Sequence, residues 1–298
     1  KSHTVIFGTT ALPAYYPDGY SNTQLGWETN RQWDLGFDVG GTTIKYGLID
    51  PELNIIESSS CPTLENKDGH ILKSLKKITE EMMNSYTLLG IGVSTAGIVG
   101  KNGEIQYAGP TIPGYIGTPI KKELEELSGL PVSVVNDVDA ALLGERLAGG
   151  AKGSDNVYCI ALGTGIGGAY FYEGKLFSGA HAGANSIGYA LYDKNTKTDY
   201  QKRAATLSLE AYLKRFDTSV IDAFEKAKAG DERFKKIIED WGDEVARGVA
   251  EIILLFDPEL ILLGGAVAKQ GEYLVDLVER HLEEYVPNYF WNIGASSS

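Results

Sequence analysis

The stretch FDVGGTTIKYGLID, residues 37–50, decides how the rest of the chain is interpreted. Apolar, β-prone residues lie on both sides of the glycines and threonines at 40–43, so the pattern predicts two strands joined by a tight turn. Glycine lets a backbone bring its N–H groups close to phosphate oxygens, and threonine hydroxyls add donors. The stretch is therefore compatible with a plain hairpin or with a phosphate loop. In the second case, Asp38 would place a carboxylate beside the loop.

The bulk composition indicates an ordinary globular protein and disfavours some classes of partner. The chain has 298 residues, of which 43% are hydrophobic and 22% charged, enough for two ordinary domains. The net charge of −13 disfavours nucleic acid and anionic lipid as partners. No apolar run approaches the roughly 20 residues of a membrane span, so a cytoplasmic location is expected. Cys61 and Cys159 cannot form a disulfide framework and are expected to be buried thiols.

The order of strand-like and helix-like segments predicts an α/β protein with largely parallel sheets. Apolar residues recur every three or four positions over 232–256, which predicts one long buried helix. A shorter helix is predicted with Thr118 as its cap, Pro119 as its first residue and Gly129 at its end. Four regions are expected, namely an atypical segment at 1–34, an N-terminal lobe at 35–136, a C-terminal lobe at 137–290 and a disordered tail at 291–298.

A second glycine–threonine turn lies within ALGTGIGGAYFYEGKLF, residues 161–177. Its glycines fit G-x-G-x-x-G, but a dinucleotide site needs a helix to begin at the glycines, and β-prone aromatic residues follow instead. A Walker A sequence is absent, and the chain lacks the HRD and DFG motifs of a protein kinase. Two turns of this kind, one in each lobe, are expected to face each other and to hold one triphosphate.

These motifs together resemble a known family. The first turn and the second resemble the two phosphate motifs of the actin and sugar-kinase superfamily, and LLGGAV at 262–267 resembles its adenosine motif. Three further segments narrow the resemblance to the ROK family (repressors, open reading frames and kinases): GIGVSTAGIVG at 90–100, IPGYIGTPIKKELEELSGLPV at 112–132 and NDVDAALLGE at 136–145. The resemblance implies a two-lobed actin-like ATPase (ribonuclease H-like) fold with a central cleft that closes on ATP, Mg²⁺ and a hexose, and it implies a homodimer.

The resemblance also implies roles for individual residues. Asp38 would hold Mg²⁺ through water, and Lys45 would either add positive charge near the phosphates or be an ordinary surface lysine. The expected nucleotide and phosphate contacts are Asp38, Gly40, Gly41, Thr42, Thr43, Lys45, Gly163, Thr164, Gly165, Gly264 and Gly265. The expected substrate contacts are Ala96, Gly97, Thr111, Asn136, Asp137, Ser186, Tyr189 and Glu210.

Asp137 is the expected general base. It lies where a strand gives way to a helix, which is the usual place for a site in an open α/β sheet, and a helix N-terminus favours an ionised carboxylate. The alternative is a plain helix cap by Asn136 or Asp137. In similar kinases the Asn-Asp pair binds the sugar, with the aspartate facing the 6-hydroxyl.

The sugar side departs from the family pattern. Members typically carry AGExGH and a zinc-binding CxCGxxGCxE, whereas Ser186 stands here at the glutamate position, Tyr189 at the histidine position, and the cysteines are missing. No zinc is therefore expected, and hydrogen bonds and packing must fold this segment. Thr111 replaces a common asparagine, Glu210 keeps a sugar-contact position, and His181 is either a partial substitute or a solvated loop residue.

The leading hypothesis is an ATP-dependent kinase that phosphorylates the 6-hydroxyl of a hexose or hexose derivative, of the glucose, N-acetylmannosamine or β-glucoside type. The alternative is a non-catalytic sugar-sensing ROK protein, which the altered 183–210 segment motivates. A DNA-binding repressor is disfavoured, because residues 1–34 are too short and turn-rich for a helix-turn-helix and the net charge is strongly negative.

Overall fold

A computed structural model describes residues 32–109 and 112–296, so most of the 1–34 segment and Thr111 lie outside the described residues. The chain divides into two compact units. The first extends to Leu147 and also takes in Gly179–Gly183, and the second comprises Ala148–Ser178 and the chain from Ala184 onward. The boundary predicted at 136/137 was therefore too early, because the helix that begins at Asp137 remains with the strand before it.

The first unit is built on a five-stranded sheet of order β3-β2-β1-β4-β7. Its strands are β1 (Gln32–Val39), β2 (Thr43–Ile49), β3 (Ile55–Pro62), β4 (Thr87–Thr95) and β7 (Val132–Asn136), and β5 (Ile98–Val99) pairs with β6 (Ile105–Tyr107) in a separate ribbon. β1, β2 and β3 are antiparallel neighbours, whereas β1, β4 and β7 run parallel. The carboxyl ends of β1, β4 and β7 consequently meet at one edge of the sheet.

Three helices complete the first unit: α1 (His70–Ser85), α2 (Ile120–Ser128) and α3 (Asp137–Ala148). α1 buries Ile71, Leu75 and Ile78, which recur at helical spacing, against the apolar face of the sheet. Burying each such side chain contributes about 2 kcal/mol relative to leaving it exposed. α2 begins one residue later than predicted, since Pro119 occupies the cap position in place of Thr118, and it ends at the left-handed Gly129 as predicted.

The second unit has a five-stranded sheet of order β10-β9-β8-β11-β12. Its strands are β8 (Asn156–Leu162), β9 (Ile166–Tyr172), β10 (Lys175–Leu176), β11 (Leu260–Gly264) and β12 (Ile293–Ala295), and its helices are α4 (Tyr200–Ala204), α5 (Thr206–Leu213), α6 (Val220–Lys228), α7 (Glu232–Phe256) and α8 (Glu272–Tyr285). The expectation of a disordered tail at 291–298 was wrong for Ile293–Ala295, because these residues pair in parallel with β11.

The long helix α7 organises the core of the second unit. The Asp231 carboxylate accepts hydrogen bonds from the first backbone N–H groups, and the helix ends at Asp257 in a left-handed conformation just before a proline. Gly248 makes room for the Tyr200 ring, whose hydroxyl donates to the Val245 carbonyl at 2.8 Å. This contact fixes α4, and with it the preceding loop, against the middle of α7.

The carboxyl of Asp34 makes stability depend on pH. Burial within the sheet raises its pKa to about 7 from 3.8. Because the folded state binds the proton more tightly than the unfolded chain, the free energy of unfolding falls as pH rises from about 4 to about 7. Asp34→Asn should therefore raise Tm, by an amount that grows across this range and levels off above it. Thermal melts from about pH 5 to about pH 8 measure this. The exposed Asp276→Asn is the control, and an equal shift for both variants at every pH would contradict the prediction.

Candidate active site

The first glycine–threonine turn joins β1 to β2 as the predicted hairpin. The Gly40 N–H donates to the Thr43 carbonyl at 2.9 Å, which closes the turn. Thr42 is exposed at its tip, and its hydroxyl lies 3.5 Å from that of Thr43. The turn thus presents the exposed Thr42, whose hydroxyl is one of the donors that a phosphate needs.

Asp38 lies beside this turn with partners on both neighbouring strands. Its carboxylate is 3.9 Å from the Lys45 ammonium on β2 and accepts a long hydrogen bond, 3.4 Å, from the Ser94 hydroxyl on β4. Burial raises the pKa of Asp38, while Lys45 and Ser94 lower it. The Lys45 side chain is 41% exposed, so its charge both faces Asp38 and remains accessible to a ligand.

The structure shows which of Asn136 and Asp137 caps α3. The Asn136 side-chain oxygen accepts from the Asp139 N–H at 2.7 Å, so Asn136 caps α3. One oxygen of Asp137 accepts from the adjacent Val138 N–H at 3.0 Å. The cap therefore does not require Asp137, whose carboxylate remains available for a ligand.

The environment of Asp137 raises its pKa, chiefly through desolvation and secondarily through the negative charge of Asp38, while the Val138 N–H opposes the shift. The residue nevertheless keeps an exposed surface. Surrounding protein removes much of the water near the carboxyl group, but a small molecule can still reach it. A carboxylate of this kind is a better proton acceptor than a freely solvated one.

The strand register explains how Asp38 and Asp137 come together. Asp38 pairs with Ser94 on β4, and Ser94 pairs with Val135 on β7, two residues before Asp137. Neighbouring strands lie about 4.8 Å apart, so crossing from β1 to β7 spans about 10 Å at the shared edge. Both carboxylates thus belong to one edge, with the buried Ser94 between them.

The expected substrate contacts Ala96 and Gly97 directly follow β4 at this edge. The Ala96 N–H donates to the Val39 carbonyl at 3.1 Å. Gly97 has φ 104°, and a Cβ there would lie 2.2 Å from the Tyr107 carbonyl oxygen, so only glycine fits. Sequence reasoning missed a buried hydrogen bond of 2.8 Å between the Thr95 and Tyr115 hydroxyls, which ties the loop at 112–118 to the end of β4.

The second glycine–threonine turn joins β8 to β9 in the second unit, again as the predicted hairpin. The Gly163 N–H donates to the Gly165 carbonyl at 2.9 Å, and Thr164 is exposed at the tip. The start of α5 supports the turn, because the Thr206 hydroxyl donates to the Leu162 carbonyl at 2.8 Å. Gly264 is the last residue of β11, the neighbour of β8, and Gly265 follows it.

The altered sugar-side segment presents short polar and aromatic groups. Ser186 precedes a single helical turn at Ile187–Tyr189 and is exposed, as is Tyr189 with 59% of its surface accessible. Glu210 is exposed on α5, with Lys214 at 3.9 Å one turn further along. His181 is also exposed. Within the compact unit to which it belongs, each of these four residues is accessible to a ligand.

An arginine holds the loop at 191–199, within the segment that departs from the family pattern described above. The guanidinium of Arg203 donates through Nη2 to the Leu191 carbonyl at 2.7 Å and through Nη1 to the carbonyls of Thr198 at 2.9 Å and Asp199 at 3.1 Å. Its Nε donates to Glu244 on α7 at 3.1 Å. One planar group thus ties both ends of the loop to a core helix, and this is the structural task of Arg203.

Arg203→Lys should lower the free energy of unfolding by about 2 kcal/mol, since an ammonium can pair with Glu244 but cannot reach three carbonyls at once. Arg247→Lys is the matched control, because Arg247 bonds the same Glu244 and is more exposed. Urea unfolding of both variants measures the difference. An excess of EDTA should leave Tm unchanged, and equal stability of the two variants would contradict the assigned task.

The side chains at this site suit Mg²⁺ better than they suit a metal ion whose ligands are all protein side chains. Mg²⁺ commonly keeps several waters and binds one or two carboxylates together with substrate phosphates, which Asp38 beside the first turn suits. Over residues 32–109 and 112–296, no three His, Cys, Asp or Glu side chains are grouped to hold a metal ion. In the same ranges, no helix is both long and apolar enough to cross a membrane.

Comparison with known proteins identifies the family. The ROK family model matches residues 34–296. An uncharacterized protein of Clostridium perfringens is 37% identical over 260 residues, covering 86% of this chain and 88% of that protein. A glucokinase of Thermotoga maritima is 27% identical over 278 residues, covering 85% and 87%. The crystal structure of a ROK family glucokinase from Streptomyces griseus, in complex with glucose and AMPPNP, is 25% identical with a TM-score of 0.72, covering 89% of this chain and 94% of that chain.

These matches confirm the actin-like α/β fold class expected from the sequence, and they place sugar kinases among the relatives. The missing zinc motif sets this protein apart from the family pattern described above, since its only cysteines are Cys61 and Cys159. With the family model spanning both units, the chain belongs to the ROK family.

Proposed function

We propose that the protein is an ATP-dependent kinase that transfers the γ-phosphoryl group to the 6-hydroxyl of a hexose or hexose derivative. The observation that carries the proposal is the edge of the first sheet, where Asp38, the first turn and Asp137 lie together. Phosphoryl transfer requires positioned phosphates, charge neutralisation and a carboxylate to take the proton, and this edge offers a group for each task.

Each group has a defined part in the reaction. The turns at 40–43 and 163–165 bind the phosphates through backbone N–H groups and threonine hydroxyls, and Gly264 and Gly265 accommodate the nucleoside. Mg²⁺, held by Asp38 through water, would neutralise negative charge on the phosphates. Lys45 adds a positive charge at the same place, which favours an anionic ligand in a protein of net charge −13.

Asp137 accepts the proton of the attacking hydroxyl. The sugar oxygen forms a bond to the γ-phosphorus while the bond from that phosphorus to the oxygen bridging the β-phosphate breaks, and ADP leaves with the electron pair. The proton moves to the Asp137 carboxylate, whose raised pKa favours its acceptance. Asn136 caps α3 through one side-chain oxygen and retains its NH₂ group to donate to the sugar.

The choice of acceptor follows from the second unit's altered segment. Relatives are expected to bind the C1–C2 side of a hexose with a glutamate and a histidine, and Ser186 and Tyr189 replace them. A serine still donates and accepts one hydrogen bond, and a tyrosine ring adds an apolar face. This pair favours an acceptor with a substituent at C1 or C2, such as a β-glucoside or N-acetylmannosamine, over free glucose.

A coupled assay of ADP formation against a panel of glucose, N-acetylmannosamine and β-glucosides tests the proposal. The expected result is ATP turnover that depends on Mg²⁺ and on one class of acceptor. Turnover that is the same with and without every sugar would contradict it.

A sugar sensor without catalysis is the second candidate, and the observation that favours it is the loss of both strong hydrogen-bonding partners at Ser186 and Tyr189. Thermal-shift measurements separate the candidates. A sensor would be stabilised by a sugar and would form no sugar phosphate with ATP and Mg²⁺. The kinase would be stabilised by the sugar and would also phosphorylate it.

A further inference from the structure

Thr63, directly after β3, binds the back of the first phosphate turn. It is 1% exposed. Its N–H donates to the Thr42 carbonyl at 2.9 Å, and its hydroxyl donates to the Gly41 carbonyl at 2.8 Å. Two consecutive carbonyls of the turn are therefore held by one buried residue.

Asn66, three residues later, binds the loop on the acceptor side. It is 5% exposed, and its amide donates to the Pro113 carbonyl at 3.2 Å. Its side-chain oxygen accepts from the Ile71 N–H at 3.0 Å, and its own N–H donates to the Thr63 carbonyl at 2.9 Å. Pro113 lies in the loop at 112–118, which the hydrogen bond between Thr95 and Tyr115 ties to the end of β4.

The backbone between these residues has an unfavourable conformation that packing does not explain. Leu64, Glu65 and Asn66 have φ of 49°, 52° and 54°, one turn in the left-handed region. Such residues normally occur singly, and a leucine there is rare. The Leu64 side chain is 56% exposed, so the turn does not serve to bury it. What the conformation achieves is the simultaneous placement of Thr63 and Asn66.

We propose that the segment 63–66 is a brace that sets the distance between the phosphate turn at 40–43 and the acceptor loop at 112–118, with Thr63 and Asn66 as positioning residues. The proposal rests on the proposed kinase function. Transfer requires the attacking oxygen and the phosphorus to be closely aligned, and a displacement of about 1 Å can cost about 100-fold in rate. A rigid link between the two loops meets this requirement within the first unit.

Steady-state kinetics of Thr63→Val and Asn66→Asp test the brace. The first variant keeps the side chain's shape and removes the hydroxyl donor. The second keeps the acceptor for Ile71 and tolerates the left-handed backbone, but removes the amide donor to Pro113. We expect kcat to fall about tenfold in each, with KM rising for ATP in the first and for the sugar in the second. The double variant should be no slower than the slower single variant, because both act through one link.

Two matched variants separate positioning from a general structural role. Thr63→Ser restores the donor and should recover kcat to within about twofold. Thr79→Val makes the same substitution at another fully buried threonine, whose hydroxyl has no hydrogen-bond partner within residues 32–109 and 112–296, and it should leave kcat and both KM values unchanged. Thr63→Val behaving like Thr79→Val, or multiplicative losses in the double variant, would overturn the brace.

Hydrogen exchange of the ligand-free protein tests the brace even where the proposed function fails. Amides of peptides covering 40–44 should exchange about tenfold faster in Thr63→Val, and those covering 112–118 about tenfold faster in Asn66→Asp. If the wild type turns over no acceptor but these rates change, the kinase assignment fails and the brace stands. Unchanged exchange in both peptides would refute the brace itself.

Discussion

Asp137→Asn is expected to lower kcat for sugar phosphorylation by about 1000-fold, because it removes the group that accepts the proton while conserving shape and polarity. The KM values should change little, since the amide still occupies the same position. Asn136 caps α3 without help from Asp137, so the folded structure should be preserved and Tm should stay within a few degrees of the wild-type value. Coupled ADP assays and thermal melts measure both quantities.

Asp139→Asn provides the matched control on the same helix. It removes a carboxyl group two residues away, whose pKa is raised to about 7 by burial and then by the charge of Asp137. We expect kcat within about threefold of wild type, because no role in proton transfer falls on Asp139. Since burial and then Asp38 raise the pKa of Asp137, wild-type kcat should decrease as pH falls through that raised pKa and the base becomes protonated. A kcat for Asp137→Asn equal to that of Asp139→Asn would remove Asp137 from the mechanism.

Gly265→Ala should destabilise the second unit by about 3 kcal/mol and abolish nucleotide binding to the residual folded protein. Gly265 has φ 92°, and a Cβ would lie 2.3 Å from the Leu162 carbonyl oxygen, a backbone atom that cannot rotate away as a side chain could. Leu162 immediately precedes the second phosphate turn and also accepts from Thr206. Any shift that relieves the clash therefore moves the turn.

Gly264→Ala is the neighbouring control, because its Cβ would meet nothing closer than 3.6 Å and its φ is not positive. We expect near-wild-type stability for this variant. Urea unfolding and isothermal titration with AMPPNP measure the two effects. Similar stabilities of the two alanine variants would show that the close approach at Gly265 does not constrain the fold.

Much of the fold could be predicted because its signals are local. The glycines and threonines at 40–43 mark a hairpin within one short stretch, and the apolar spacing over 232–256 predicts α7 with the bounds that it has. The errors in the predicted fold arose where contacts between residues distant in sequence determine the structure. The stretch around Ile293–Ala295 resembles a polar tail in sequence, but these residues pair with β11 at the edge of its sheet. The helix α3 belongs to the same compact unit as β7, the strand that precedes it.

The site divides in the same way. Asp38 and Asp137 could be chosen from their positions at strand ends, but their proximity depends on the order β1-β4-β7, which spacing along the chain does not reveal. Thr63 and Arg203 were missed altogether, because each acts through hydrogen bonds to backbone carbonyls distant in sequence. A lone threonine or arginine has no pattern that distinguishes it from the many on protein surfaces.

Transfer of label from ATP to sugar tests the central claim most directly. The protein is mixed with ATP carrying labelled γ-phosphate, Mg²⁺ and the best acceptor of the panel, and the products are separated and analysed by NMR. We predict that the label appears on the 6-oxygen of the sugar with wild type and remains in ATP with Asp137→Asn. Label released as inorganic phosphate, or found on the sugar to the same extent with both proteins, would contradict the account.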